Sequence, residues 1–142
     1  MTQNFTGQIK IGTEKYSYDL VFGYDNNSDS LLYDKEKDKY AHPTPPMNFF
    51  DAALGLNGER YYSKIIGTPD EEVIFAIYLQ MGDNKKINIS WDNSKWEDKL
   101  EYCNLEDAYG GKLDIKEDML KKNNIEITNG LINVLRIKFK KK

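Results

Sequence analysis

The side chains that could do acid-base or nucleophilic chemistry are few and scattered. The single histidine, His42, lies in a proline-rich stretch, and the single cysteine, Cys103, has no histidine or basic cluster near it in sequence. A histidine-based triad would have to use His42, and a reactive thiol needs a cationic neighbour that lowers its pKa. We therefore predict that His42 is a solvated loop residue and that Cys103 is a small, buried, apolar side chain.

Carboxylates are plentiful, and two groups of them could supply a paired acid and base. The run Asp70-Glu71-Glu72 follows Thr68-Pro69, while Asp114, Glu117 and Asp118 lie in a second charged stretch. The first group suits the first turn of a helix, where negative charge interacts favourably with exposed amides, and the second suits a solvated segment. A small hydrolase that uses carboxylates is therefore the least favoured functional class.

Motifs for metals, phosphates and nucleotides are missing from the sequence. Residues 25–30 carry oxygen ligands, but they lack the Gly and the bidentate Glu of a calcium loop. There is no Gly-x-Ser-x-Gly elbow, no glycine-rich phosphate loop and no dinucleotide fingerprint. We predict no catalytic residue, no cofactor-binding residue and no metal ligand, and hence a protein that is not an enzyme.

Charge and hydropathy limit the partners and the location of the chain. The net charge of −3 argues against nucleic acid, and Lys138 to Lys142 is interpreted as a basic strand end fraying into solvent. The longest apolar run, Val73 to Leu79, is too short to insert into a membrane. With no visible signal peptide and a lone Cys103, we expect a chain that is cytoplasmic on synthesis and that, if it leaves the cell, does so by a route that needs no signal peptide.

Alternating apolar residues predict several strands. A hairpin with one buried face is expected near the N-terminus, further strands over 61–66, 87–91, 100–109 and 112–115, and an alternating strand over 131–139. The polar stretch 25–39 is expected to be a surface loop. The residues that alternate in the hairpin are Phe5, Gly7, Ile9, Ile11, Tyr16, Tyr18, Leu20 and Phe22.

Two segments carry helix signals. Thr68 suits an N-cap, Pro69 the first helical position, Glu71 the N3 position of a capping box and Gly82 the terminator. This pattern predicts a helix enclosed by the sheet. The β-branched residues between Thr68 and Gly82 allow a strand as the alternative to this helix. A short helical turn is also expected within 47–56, after the extended backbone of the proline-rich stretch. Together these elements predict one domain, residues 1–142, that is mainly β: a small antiparallel β-barrel or sandwich with one central helix.

The order of these elements resembles a known family. Phe5, Ile9, Ile11 and Tyr16 stand at the spacing with which the divergent short branch of the type VI secretion tube protein, the Hcp or TssD family, begins. Later segments resemble that branch in the same order. They are Gly58 with Tyr61 to Ile65, Thr68 to Glu71, Lys86 to Trp91, Leu105 to Tyr109, and Leu131 to Lys141.

This resemblance implies a structural subunit with an Hcp-like fold. Members of the family form hexameric rings that stack into a hollow tube, which is exported and which can carry effectors. The implied partners are copies of the chain itself, together with sheath, spike and effector proteins. In such a ring, Asn88 and Ser90 would face a wet lumen while Ile87, Ile89 and Trp91 pack inward.

A second functional class is a binding module. A small cytoplasmic β-domain that neutralises a protein partner, such as an immunity protein or a phage inhibitor, would also be acidic and free of cofactors. Its contact surface would be the aromatic-rich segment from Tyr40 to Leu56. The two classes differ in size in solution, since a ring is large and a binding module is small.

Overall fold

The computed structural model describes residues 4–28 and 33–142, and these residues form one curled, mainly antiparallel β-sheet. A 3-10 turn, Trp96–Asp98, is the only helical element among them. The strands are β1 (Asn4–Gly12), β2 (Ser17–Asp25), β3 (Lys39–Tyr40), β4 (Asp51–Leu56), β5 (Glu59–Ile66), β6 (Val73–Gln80), β7 (Ile87–Trp91), β8 (Leu100–Asp107), β9 (Lys116–Asp118), β10 (Asn124–Ile127) and β11 (Val134–Lys141).

Ten strands follow one continuous path, in the order β10-β7-β1-β2-β5-β4-β6-β11-β8-β9, and β3 lies off this path against β5. The β2–β5 pair is parallel and the other pairs are antiparallel. The first and last strands of the path, β10 and β9, are consecutive in the chain. The turn between them therefore brings the two ends of the sheet together.

The two ends of the sheet are held together by side-chain hydrogen bonds and not by pairing of β9 with β10. The indole Nε1 of Trp91 donates a hydrogen bond to the carbonyl of Met119 at 2.9 Å. The amide of Asn93 donates to the carbonyls of Met119 and Lys122 at 2.7 and 3.0 Å. We call these contacts the seam, because they hold the β9–β10 turn against the end of β7.

The curled sheet encloses a continuous hydrophobic core. Phe5 and Phe22 come from the two strands of the N-terminal hairpin, and Trp96 packs edge-on against both rings at 5.6 and 5.7 Å. Phe139 from β11 lies 5.5 Å from Phe22 and 6.1 Å from Phe75. The first two strands and the last strand of the chain thus meet at one aromatic centre.

The predicted central helix is wrong. Residues 73–80 form β6, which pairs with β4 on one side and β11 on the other. Thr68 does not cap a helix, since its hydroxyl bonds the Asn26 side chain. The β-branched run alternates in burial, with Phe75, Ile77 and Leu79 buried. Pairing on both edges satisfies the backbone, so tertiary context overrides the local helix signals.

Other differences are local. The helical turn expected within 47–56 is largely β4. The strand expected over 112–115 is a turn, and the structure instead has β9 directly after it. β10 was not anticipated. The basic end does not fray, because β11 extends to Lys141 and pairs with β8.

The remaining strand predictions are confirmed, except at the start of the last strand. The N-terminal hairpin pairs Phe5 with Tyr24 through Gly12 with Ser17, although Tyr16 lies just outside it and is exposed. Residues 61–66 and 87–91 are strands. The last strand buries Leu135 and its alternate neighbours as expected, but it begins at Val134, so Leu131 lies outside it and is exposed. Within the described ranges, no helix has the length and apolarity that crossing a membrane requires.

Candidate protein-interaction surface

The candidate base, His42, and the candidate nucleophile, Cys103, lie in different environments. His42 is exposed, its carbonyl accepts a hydrogen bond from Arg60, and its ring lies 5.9 Å from that of Tyr62. Cys103 is buried, as predicted, with its Sγ 3.6 Å from the Sδ of Met119. Burial raises the pKa of the Cys103 thiol far above its ordinary value. The structure therefore does not bring these residues into one site.

The two carboxylate groups have different partners. Residues 70–72 are exposed, and Glu72 accepts a hydrogen bond from the hydroxyl of Tyr102. This hydrogen bond, more than desolvation, raises the pKa of Tyr102 to about 12. Glu117 forms an ion pair with Lys122 at 3.2 Å.

The possible calcium loop is only partly described, since Ser30 and its neighbour at 29 lie outside the described residues. Asp25 accepts a hydrogen bond from the backbone of Asn27 and pairs with Lys37 at 3.4 Å. Its carboxylate is thus engaged by the protein. Within residues 4–28 and 33–142, no three His, Cys, Asp or Glu side chains are grouped so that they could hold a metal ion.

An exposed apolar loop is the most unusual part of the described surface. Residues 43–50, which we call the contact loop, contain three prolines and no charged residue. Met47 is 86% exposed and Phe49 is 56% exposed, while the neighbouring Phe50 is buried. Phe50 packs against Tyr18, with ring centroids 5.4 Å apart. The loop thus turns one aromatic ring inward as an anchor and presents two apolar side chains to solvent.

Hydrogen bonds from Gln80 and Asp83 hold the contact loop in one conformation. The side-chain amide of Gln80 donates to three of its carbonyls, those of Pro45, Pro46 and Phe49, at 3.1, 2.8 and 2.9 Å. The backbone of Asp83 donates to the Asn48 carbonyl at 3.2 Å. Because prolines restrict the backbone further, little conformational entropy is left for the loop to lose on binding.

The chain entering the contact loop is anchored by Arg60. Its guanidinium forms an ion pair with Asp51 at 2.7 Å and bonds the carbonyl of His42 at 3.3 Å. Asp51 also bonds the hydroxyl of Tyr18, and the pKa of Tyr18 is raised by burial and by this carboxylate. A polar network therefore fixes the base of the loop on the sheet.

A second surface segment, residues 33–41, lies on β5, and we call it the strap. Asp38 and Lys64 form an ion pair at 2.8 Å in which neither side chain has exposed surface. The same carboxylate accepts hydrogen bonds from the backbone of Ile65 and Asp34, both at 2.9 Å. The hydroxyl of Ser63 donates to the carbonyl of Lys37 at 2.6 Å.

Three tyrosine rings stack across the strap. Tyr33 lies over Tyr40 at 4.5 Å and Tyr40 lies over Tyr61 at 5.1 Å, with interplanar angles of 11° and 19°. Tyr61 is buried, whereas Tyr33 and Tyr40 are 42% and 47% exposed. The ammonium of Lys64 lies 5.4 Å from the Tyr61 ring. The stack therefore extends from the buried ion pair to two exposed tyrosine rings on the surface.

Sequence reasoning found part of this surface. The segment from Tyr40 to Leu56 was expected to be a contact surface, and it contains the contact loop, although Leu54 and Phe50 are buried. The Asp38–Lys64 pair was missed, because Asp38 looks like any charge in a polar stretch. One signal was present: Lys64 shares a strand face with Tyr62 and Ile66, and a lysine on an apolar face needs a buried partner.

Comparisons with protein-family models, with curated proteins and with solved structures give no match to this chain.

Proposed function

We propose that this chain is a protein-binding domain, without catalytic activity, that recognises its partner through the contact loop. One observation carries the proposal: a loop held by Gln80 presents Met47 and Phe49 to solvent. Exposing large apolar side chains is unfavourable in water, and fixing them in place is typical of recognition elements. Methionine and aromatic residues are also enriched in the centres of protein interfaces.

The shape and charge of the loop indicate the chemistry of its partner. Residues 43–50 carry no charge, so the complementary site should be apolar and desolvated. The exposed loop carries its two apolar side chains outward, so the partner should offer a pocket or groove that receives them. Such an arrangement is typical of a small domain that docks on another protein, as an immunity protein or an inhibitor does.

Photo-crosslinking in cells that naturally produce the protein tests this proposal. A photoactivatable phenylalanine analogue at position 47 should crosslink to one heterologous protein. The same analogue at Ile74, which is 46% exposed and lies near the opposite end of β6 from Gln80, serves as the matched control and should not crosslink to it. The recovered partner is then purified for titration calorimetry.

The calorimetry decides whether the loop supplies the binding energy. We expect the double variant Met47→Ser, Phe49→Ser to lose at least about tenfold in affinity, or about 1.4 kcal/mol, and Ile74→Ser to bind as the wild type does. Equal affinity of the double variant and the wild type would contradict the proposal. Crosslinks from position 47 to copies of this chain alone would also contradict a heterologous partner.

A second proposal is the structural subunit of a type VI secretion tube of the Hcp or TssD family. The alternation of β7 favours it, since Asn88 and Ser90 are exposed while Ile87, Ile89 and Trp91 are buried, as a lumen-facing strand requires. The strand β6 stands where that resemblance expects a central helix, which is a departure from the family. In this proposal the chain is made in the cytoplasm and leaves it without a signal peptide.

Solution size separates the two proposals. Light scattering coupled to size-exclusion chromatography should give hexameric rings for a tube subunit, and negative-stain images should show annuli with a central hole. Rings that also bind sheath, spike or effector proteins would support the family assignment. A monomer at every concentration would contradict the tube proposal and is compatible with the binding domain.

A further inference from the structure

The strap brings an amine and a carboxyl group into contact away from solvent. The Nζ of Lys64 lies 2.8 Å from the Oδ2 of Asp38, and neither side chain has exposed surface. An amine is a nucleophile, and the carbon of a carboxyl group is an electrophile. The binding function proposed above uses neither group, since neither reaches the surface. The pair is therefore a candidate for a covalent step within the chain.

The strap is bonded to β5 on both sides of Asp38. On one side the hydroxyl of Ser63 donates to the carbonyl of Lys37 at 2.6 Å, and on the other the backbone of Ala41 donates to the carbonyl of Arg60 at 3.0 Å. The two reacting groups are 26 positions apart in sequence, yet these bonds keep them in contact. Well-oriented groups within one molecule react as if one were present at about 10⁵ M or more.

Two backbone N–H groups bind different oxygens of the Asp38 carboxylate. Ile65 donates to Oδ1 and Asp34 donates to Oδ2, both at 2.9 Å. When an amine adds to a carboxyl carbon, negative charge develops on the oxygen that stays, and a fixed N–H donor stabilises that charge. The N–H of Ile65 is in place to do this for Oδ1. The oxygen that leaves is then Oδ2, which is the one in contact with Lys64.

Burial favours the product of this step over the ion pair. Two buried charges are costly, whereas a single amide is neutral and costs less to bury. The ring of Tyr61, which is itself buried, lies 5.4 Å from the ammonium of Lys64. A site closed to water also protects the new amide from hydrolysis.

We propose that Lys64 and Asp38 condense to an isopeptide bond within the folded chain. A proton passes along the hydrogen bond from Nζ to Oδ2, and the resulting amine attacks Cγ. The C–N bond forms, a second proton moves from Nζ to Oδ2, and the Cγ–Oδ2 bond breaks to release water. The oxygen and both hydrogens of this water come from the pair, so no other reactant is needed. The bond fixes the strap permanently on β5, and the inference does not depend on the binding function.

Mass spectrometry of the denatured full-length protein tests the bond. The wild type, stored in its folded state, should be lighter than its sequence by the mass of one water. After digestion with trypsin, residues 38–39 should be joined to residues 61–85, without cleavage after Lys64. The pair of Lys138 and Glu106 is the control in the same sample. These two side chains are 2.5 Å apart, but Lys138 is partly exposed, so their peptides should stay unlinked.

Lys64→Arg is the matched variant, because a guanidinium keeps the positive charge beside Asp38 but stays protonated and does not attack carbon. This variant should have its full sequence mass. A wild type that trypsin cleaves after Lys64, with residues 38–39 released, would overturn the inference, whether its mass is full or reduced by a dehydration elsewhere. The variant Met47→Ser, Phe49→Ser should carry the bond as the wild type does, which keeps this inference distinguishable from the binding function.

Discussion

The carboxylate of Asp38 and the ammonium of Lys64 lie 2.8 Å apart, and neither side chain exposes any surface. The carboxylate also accepts two backbone hydrogen bonds, and the ammonium lies beside the Tyr61 ring. A buried pair of this kind is stable because both charges are satisfied together. Removing one partner leaves the other charge in an environment of low polarity, which is strongly unfavourable.

We expect Lys64→Met to lower the free energy of unfolding by about 3–5 kcal/mol, because it removes the only side chain that balances the charge of buried Asp38 among the described contacts. Urea unfolding followed by tryptophan fluorescence measures the loss. Lys140→Met is the matched control, since Lys140 and Glu101 form a half-exposed pair at 3.9 Å, and it should cost less than about 1 kcal/mol. Equal losses for the two variants would contradict this account.

Asp107 should make the free energy of unfolding depend on pH in the acid range. Burial raises the pKa of this carboxyl, but hydrogen bonds from the backbones of Tyr109, Gly111, Leu113 and Ile115 lower it more, so the net pKa is below its ordinary value. A group with a lowered folded-state pKa stabilises the fold at neutral pH. This stability is lost as the pH falls from about 4, the pKa of an unfolded aspartate, through the lower folded-state value.

Asp107→Asn should remove this part of the acid dependence and cost about 1–3 kcal/mol at neutral pH, because an amide cannot accept all four bonds. Urea unfolding at pH 7 and at points down to pH 3 measures both effects. Asp114→Asn is the control: this residue is exposed at φ 69°, a conformation that asparagine also adopts. Asp25 and Asp92, whose pKa values are also lowered, leave some acid dependence in every variant. An unchanged acid slope in Asp107→Asn would refute the assignment.

Much of the sheet was predictable from local patterns. The strands β1 and β7 alternate cleanly, as β2 does as far as Phe22, and alternation directly reports which face of a strand is buried. The error over 68–82 has a physical cause. Thr68 and Glu71 report only local preference, whereas β6 is stabilised by β4 and β11, which are distant in sequence.

The candidate surfaces were less predictable because long-range contacts create them. The contact loop that exposes Met47 is bonded by Gln80, which lies more than thirty positions away in sequence. The turn after β8 likewise depends on the four hydrogen bonds of Asp107, where apolar residues of the sequence indicated a strand. A local sequence pattern does not indicate which distant donor and acceptor form a hydrogen bond.

The seam should contribute measurably to stability. Asn93→Ala removes two hydrogen bonds to backbone carbonyls, which should cost about 1–3 kcal/mol. It should also increase exchange of the Trp91 backbone amide, which bonds the Asn123 carbonyl at 2.9 Å. Asn88→Ala, at an exposed position of β7, should stay within about 0.5 kcal/mol of the wild type. Equal losses of unfolding free energy in the two variants would show that the seam hydrogen bonds do not stabilise the fold.

Gln80 should determine how well the contact loop binds, although it need not touch the partner. Gln80→Leu keeps most of the side-chain volume but removes the bonds to three loop carbonyls. Hydrogen exchange of the Phe49 amide, which bonds the Pro46 carbonyl at 3.0 Å, should therefore become faster. The affinity for the crosslinked partner should fall about tenfold because the loop must then be ordered on binding.

Gln8→Leu, at an exposed position of β1, is the matched control and should change neither quantity. Two results would contradict the role of Gln80. The first is unchanged exchange at Phe49 in Gln80→Leu. The second is faster exchange with full affinity, since an ordered loop would then bring no advantage in binding.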